Sequence, residues 1–213
     1  MKNFEKRRDR FNFFESFENP LLNLTFNLET LNFLPYCKLK QIPPSHFFLF
    51  CLLRAFDEHD NFKYRILNGE VIMINEIFGS YTVLNEDNVF NYTRFENTKD
   101  RSLFIERSLK AKKIAETSSA LINTGIELNP AEMKKYIFIT SLPWLDFTSI
   151  QHPVYKYKSA DIPAVAWGKW KILDDKIHMP FSLQAHHGFV DAIHMYEVAE
   201  GLKKIVEREI LVN

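Results

Sequence analysis

Leu22-Asn-Leu-Thr-Phe-Asn-Leu28 alternates apolar and polar residues at every step, the period-two signature of a strand with one buried face. Upstream, Phe4, Phe11, Phe14 and Phe17 recur among charged residues as far as Asn19-Pro20, which predicts a short amphipathic helix over 4–17 ended by the proline. Pro43-Pro44-Ser45 ahead of the apolar run His46-Phe-Phe-Leu-Phe-Cys-Leu-Leu53 predicts an N-cap and a buried helix to about residue 59. In Phe62-Lys-Tyr-Arg-Ile-Leu-Asn-Gly69 the Asn68-Gly69 pair marks a hairpin turn, and short strands are expected near 70–75, 80–84 and 89–95. Residues 99–117, rich in Lys, Arg, Glu, Ala and Leu, read as a solvated helix, and the polar stretch 118–130 as a loop. Strand-like patterning returns at 136–141, 162–172 and 176–186. A last helix is expected over 192–207, with Met195, Val198, Ala199, Leu202 and Val206 on one face. Helices and strands mix without regular alternation, so the expected class is α+β.

Composition narrows the function classes. The chain has 213 residues, 46% of them hydrophobic, enough for a buried core within one domain over 1–213. Its 27 Lys+Arg balance 27 Asp+Glu, so no net field favours nucleic acid or an anionic membrane, and neither is expected as a partner. Residues 1–10 carry charge with no apolar stretch behind them, and no run approaches the roughly 20 apolar residues of a membrane span, so a cytoplasmic protein is expected. Cys37 and Cys51 are too few for a disulfide framework, and Cys51 reads as a small core hydrophobe. The 20 Phe need a well-packed core, a subunit interface or an apolar ligand pocket, and composition does not choose among them.

The glycines, at 69, 79, 125, 168, 188 and 201, never cluster into a phosphate-cradling loop, and the Gly-x-Ser-x-Gly elbow is absent. The densest chemical signal is Gln184-Ala-His186-His187-Gly-Phe-Val-Asp191-Ala-Ile-His194, with three of the seven histidines at the end of a strand entering a helix. Adjacent strand residues point to opposite faces, so His186 and His187 do not converge on one metal. His187, Asp191 and His194 converge only if the local backbone is helical, and no metal is expected. By spacing alone, a hydrogen-bonded core histidine beside a surface histidine is as good a reading as catalysis.

The same segment resembles the His-His-x-x-x-Asp-Gly signature of chloramphenicol acetyltransferases. Pro180-Phe-Ser-Leu-Gln184 leads into it as the family's Pro-Leu-Ser-x-Gln strand does, and Pro163-Ala-Val-Ala-Trp-Gly-Lys169 is similar to the preceding family strand. Thr140-Ser-Leu-Pro-Trp-Leu-Asp-Phe147 resembles the family's Ser-x-x-Pro-Trp-x-x-Phe segment. Phe62-Lys-Tyr-Arg65 with Asn68-Gly69, and Arg7-Arg-Asp-Arg-Phe11, also fall in family order, so the resemblance spans nearly the whole chain. It implies a two-layer α+β sandwich of helices on a mixed sheet, assembled as a homotrimer with active sites between subunits. It implies an O-acetyltransferase that takes acetyl-CoA as co-substrate and a small hydroxylated acceptor such as chloramphenicol.

On that resemblance His187 is the general base, a task neutral imidazole suits near neutral pH. Thr140 stands in for the family serine whose hydroxyl stabilises the tetrahedral oxyanion. Asp191 and Arg7 correspond to a salt bridge that orders the active-site turn, Lys169 to a lysine near the CoA 3′-phosphate, and Phe13, Phe14 and Ala166 to positions of the substrate pocket. Three positions depart from the pattern: Phe14 stands where tyrosine is usual, Ala166 where threonine is, and Ala192 where the motif has glycine. The first two leave a different hydroxylated acceptor open, and a catalytically silent oligomeric binding protein is the reading from another class. Ala192 is harmless at a helical φ and strained at a positive one.

Overall fold

The computed structural model describes residues 2–122, 129–154 and 160–211. Its helices are α1 (Lys2–Glu5), α2 (Arg8–Glu15), α3 (Leu34–Lys40), α4 (Pro44–Asp57), α5 (Arg101–Glu116), α6 (Pro130–Met133) and α7 (Ala192–Leu211). Its strands are β1 (Leu21–Leu31), β2 (Tyr64–Leu67), β3 (Glu70–Met73), β4 (Phe78–Leu84), β5 (Phe90–Tyr92), β6 (Tyr136–Ser141), β7 (Ala164–Trp167), β8 (Lys171–Leu173) and β9 (Lys176–His186). Seven strands form one mixed sheet in the order β1-β9-β7-β6-β4-β5, with β8 also on β9, while β2 and β3 make a separate hairpin. The centre, β4, β6 and β7, is parallel, and β9 runs antiparallel between β7 and β1. Helices on a mixed sheet make this an α+β fold.

The helical layer follows from patterning. Every residue of α4 from His46 to Phe56 is buried, as an all-round apolar helix must be. It packs between α5 and α7, and α7 lays Met195, Val198, Ala199, Leu202, Ile205 and Val206 inward over β1. Phe181, Leu183 and Ala185 of β9 join this core, whereas the alternate residues Ser182, Gln184 and His186 are buried on the opposite face. Residues of the 142–154 segment cover part of that polar face. Ser182 Oγ lies 3.3 Å from His152 Nε2 and donates to Asn23 Oδ1 at 3.1 Å, and Asn23 Nδ2 donates to the Ile150 carbonyl at 2.8 Å. Ser182 and Asn23 are thus hydrogen-bonded rather than stranded.

Several boundaries differ from the sequence reading. The helix expected over 4–17 is two helices broken at Lys6 and Arg7, where Arg7 (φ −113°, ψ 0°) caps α2. Ser45 is not the N-cap of α4: the helix begins at Pro44, whose fixed φ and missing N–H suit a first turn. The strand expected over 162–172 is divided into β7 and β8. Gly168 sits between them because a Cβ there would meet the Leu145 carbonyl oxygen at 2.5 Å. Helix α3 was not anticipated, and α6 falls where the loop 118–130 was expected to end; residues 123–128 of that loop lie outside the described residues. Asn68-Gly69 turns the β2–β3 hairpin with φ of 53° and 80°, the left-handed pair that such a turn requires. Fully buried Arg65 braces this hairpin, donating to the carbonyls of Phe62, Tyr64 and Lys134. Cys37 and Cys51 are both buried free thiols; burial pushes Cys37 up to about 11 and holds Cys51 well above the usual thiol value, which removes nucleophilic character from either. Among the described residues no helix is long and apolar enough to cross a membrane.

Candidate active site

His187 stands in the turn between β9 and α7, and the N-terminal helices hold that turn from outside. Buried Phe4 packs on Phe11, Tyr64 and Phe189 with ring centroids 5.5–6.1 Å apart, and Phe11 stacks on Phe189 at 5.1 Å. This aromatic group uses several of the chain's phenylalanines to fix α2 against the turn, so Phe14, one helical turn after Phe11, lies flat on His187. The rings stack at 3.9 Å with an interplanar angle of 16°. Phe13 projects outward at 59% exposure and touches Phe14 and Phe17 edge-on.

The interruption between α1 and α2 frees the Arg7 side chain to cross to the turn. Its guanidinium grips Asp191 bidentately at 2.6 and 2.9 Å and reaches the His187 and Gly188 carbonyls at 3.4 Å. The Arg7 hydrogen bonds hold the Asp191 carboxyl below the usual aspartate value, against the opposing effect of burial. Asp191 therefore stays ionised beside the imidazole. His187 Nδ1 lies 3.1 Å from the Val190 carbonyl and 3.3 Å from Asp191 Oδ1. Both oxygens only accept, so Nδ1 carries a proton; in the neutral tautomer the lone pair is therefore on Nε2, which has no hydrogen-bond partner among the described residues.

His186, one residue away, has a different environment. It is 1% exposed; its Nδ1 accepts the Gly188 N–H at 3.1 Å, which leaves Nε2 to donate to Glu15 Oε2 at 3.2 Å. Burial drives it down to about 4, so it is neutral in the folded protein. The unfolded chain protonates it below about 6.5. Between those values the unfolded state binds more protons, and stability is expected to fall as pH drops from about 6.5 towards 4 and to be insensitive to this group above that range. Urea midpoints at a series of pH values check this; a His186→Gln variant should show a shallower slope.

His194 Nδ1 accepts the Asp191 N–H at 2.9 Å, so Asp191 is hydrogen-bonded to His194 and in close contact with His187. Among the described residues no cluster has metal-ligand geometry. Ala192 is the first residue of α7 and is not among the residues with positive φ, so it fits there without strain.

A second feature lies at the carboxyl ends of the parallel strands. A cavity of about 810 Å³ opens between the helices and β4, β6 and β7, within the size range of small-molecule sites. Thr140 lines it together with Trp144, Trp167 and Trp170, and His46 of α4 lies on its wall. Lys169 is exposed next to Trp170 and has no ion-pair partner among the described residues. Ala166 is fully buried and does not line the cavity.

His187 is not part of this cavity. Thr140 is in register with Ala166 on β7, and Ala166 with Ser182 on β9, five residues before His187. At about 3.3 Å per residue and 4.8 Å per strand, the Thr140 and His187 Cα atoms are roughly 19 Å apart. The fold brings His187, Asp191, Arg7 and Phe14 together and puts Thr140 at a separate place. The Val190 carbonyl, the tryptophan-lined cavity and His46 had no distinct signal in the sequence, because each depends on tertiary packing of residues that read as ordinary strand or core.

Comparison with known proteins gives a consistent match. The family model described as chloramphenicol acetyltransferase matches residues 2–203. A chloramphenicol acetyltransferase of Bacillus pumilus is 26% identical over 204 residues, covering 94% of this chain and 90% of that protein. One of Escherichia coli is 24% identical over 199 residues, covering 93% and 88%. A solved structure described as a chloramphenicol acetyltransferase superposes with a TM-score of 0.85 at 25% identity, covering 94% of this chain and 95% of that one. A dihydrolipoamide acetyltransferase of Azotobacter vinelandii shares the fold, with a TM-score of 0.62 at 14% identity over 99% of this chain and 90% of that one.

Proposed function

Because the chain belongs to the chloramphenicol acetyltransferase family, we propose that it transfers the acetyl group of acetyl-CoA to a hydroxyl of chloramphenicol or a similar small molecule, with His187 as general base. The observation that carries this reading is the His187 ring: Nδ1 is committed to the Val190 carbonyl, and Phe14 fixes the plane of a base whose Nε2 is bare. His187 Nε2 takes the proton of the acceptor hydroxyl as that oxygen attacks the thioester carbonyl. Thr140 donates its hydroxyl to the oxyanion formed there, and the imidazolium returns the proton to the departing thiolate as the intermediate collapses. No acyl-enzyme is required, since both substrates meet in one ternary complex. Arg7 and Asp191 act on this chemistry by holding the turn.

The roughly 19 Å between Thr140 and His187 is too far for one chain to supply both groups to one atom. The reading therefore has His187 of one subunit face the Thr140 cavity of the next. A closed head-to-tail ring of three subunits gives three equivalent sites of this kind. The cavity then holds the pantetheine arm and acyl group, with Lys169 as a point charge for the CoA 3′-phosphate at its rim. Phe13 and Phe14 of the neighbouring copy close the acceptor side. Residues 1–213 serve as a single acyltransferase domain of the cytoplasm.

Phe14 favours one variant of this reading. Where the family's usual tyrosine offers a hydroxyl, Phe14 offers only a ring face, so a hydroxylated acceptor other than chloramphenicol is the second reading. Thiol release from acetyl-CoA, with chloramphenicol and a panel of hydroxylated small molecules as acceptors, tests both. Turnover of chloramphenicol supports the first; acetyl-CoA binding with turnover of another alcohol alone supports the second; failure to bind acetyl-CoA at millimolar concentration rejects both. In the active pairing, Thr140→Val is expected to lower kcat by about 10²-fold with Thr140→Ser near wild type, the cost of removing one oxyanion donor. Equal rates for the two variants would exclude Thr140 from that role.

A further inference from the structure

The wall of the Thr140 cavity contains a polar group whose protons are fixed by a chain of hydrogen bonds. Tyr81 Oη donates to the Ser108 carbonyl at 2.9 Å, and a carbonyl can only accept. Tyr81 Oη is therefore free only to accept, and Ser108 Oγ donates to it at 3.3 Å. With its proton used, Ser108 Oγ accepts in turn from His46 Nδ1 at 2.9 Å. His46 is thus the tautomer with its proton on Nδ1 and a lone pair on Nε2. His46 is 4% exposed, its ring lines the cavity, and Nε2 has no hydrogen-bond partner among the described residues.

We infer that His46 Nε2 accepts a hydrogen bond from an N–H or O–H group of the molecule bound in this cavity, and so selects for occupants that carry such a donor there. An acceptor left without a partner once a ligand displaces the solvent beside it costs affinity for that ligand, which is how such a polar atom discriminates. The surroundings keep the group neutral. Burial first, and then Lys112, hold His46 down to about 4; Lys112 and Glu116 of α5, the charged groups facing this part of the cavity, pair with each other at 3.3 Å. The lining mixes apolar Leu49, Val83 and Trp167 with the hydroxyls of Ser45, Thr140 and Ser141, and His46 adds to these an acceptor that carries no proton of its own.

This inference rests on the reading of the cavity as the substrate site. Two ligand groups have the right chemistry, a pantetheine amide N–H of acetyl-CoA and a second hydroxyl or amide N–H of the acceptor. His46→Asn keeps a polar atom near the Nδ1 position, towards Ser108, and removes the one facing the cavity; His46→Gln does the reverse. Calorimetric titration with CoA and steady-state KM for the acceptor should show H46N weakened by roughly 10-fold for one ligand, with H46Q restoring most of the loss. A loss confined to CoA assigns the donor to pantetheine, and a loss confined to the acceptor assigns it there. A purely structural histidine gives the opposite order, H46N tolerated and H46Q unstable in thermal melts, and overturns the inference. Unchanged affinities in H46N overturn it too, while leaving the acyltransferase reading intact; a wild-type protein that neither binds CoA nor releases thiol overturns both.

Discussion

Replacing His187 by alanine is expected to lower kcat by about 10²–10⁴-fold, the usual contribution of a positioned general base, with acetyl-CoA affinity unchanged. The two parts of this prediction come from different places in the structure. The base is lost because Nε2 is the lone pair left bare once Nδ1 is given to Val190 and Asp191. Affinity is kept because the walls of the cavity that holds acetyl-CoA in this reading come from one chain, and the neighbouring copy's His187 adds only the base at the reacting end. His186 cannot substitute: it is buried, it is held down to about 4, and its Nδ1 lone pair is occupied by the Gly188 N–H. Thiol-release rates alongside CoA titration separate the two terms. A fall in kcat of less than tenfold would remove His187 from the chemistry, and a fall in CoA affinity instead would make it a binding residue.

Arg7→Ala is expected to lower kcat by about 10–100-fold, the scale of loss from misplacing a reacting group by about an ångström. Arg7 touches no reacting atom in this account. It fixes Asp191 bidentately and spans to two carbonyls of the His187 turn, so its removal leaves a carboxylate without its counter-charge 3.3 Å from the base. Stability should fall by about 1–2 kcal/mol, below the ~3–5 kcal/mol of a fully buried pair because the Asp191 side chain is 38% exposed. The pH dependence has a definite sign. The Arg7 hydrogen bonds lower the folded-state value of Asp191, so the pair stabilises above the unfolded aspartate value and is lost as pH falls through the folded one. Arg7→Lys restores the charge without the planar fork and should recover activity only in part. A kcat unchanged in Arg7→Ala, with only the melting temperature lowered, would reduce Arg7 to a fold-stabilising residue.

Elements governed by local pattern were legible in the sequence. The alternation at 22–28 marks β1, the apolar run from His46 marks α4, and Asn68-Gly69 marks the hairpin turn, because each depends on residues within one element. What escaped depends on contacts between distant segments. The charged run before Phe11 is compatible with an unbroken helix, and the break at Arg7 follows from packing of Phe4 and the pull of Asp191 across the chain. Gly168 divides β7 from β8 because the Leu145 carbonyl approaches it, an approach invisible in a string of strand-forming residues. Leu34-Pro-Tyr-Cys-Lys-Leu-Lys40 has no capping side chain and too short a period to stand out as α3. The histidine segment was conspicuous, but the tautomer of His187 depends on the Val190 carbonyl, and its separation from Thr140 on strand register. His46 was hidden inside the run that predicted its helix.

The central claim is that one catalytic site takes its base from one subunit and its oxyanion donor from the next. Mixing His187→Ala with Thr140→Val chains tests it: the two variants, each nearly inactive alone, are denatured together in equal amounts, refolded and assayed by thiol release. In a three-fold ring every mixed trimer regains one intact site, so random assortment should restore about one quarter of wild-type activity. If both groups belonged to one chain, no mixture could contain an intact site. Recovery to that level is the predicted result, and activity no higher than the sum of the separate variants in verified mixed assemblies would contradict the account.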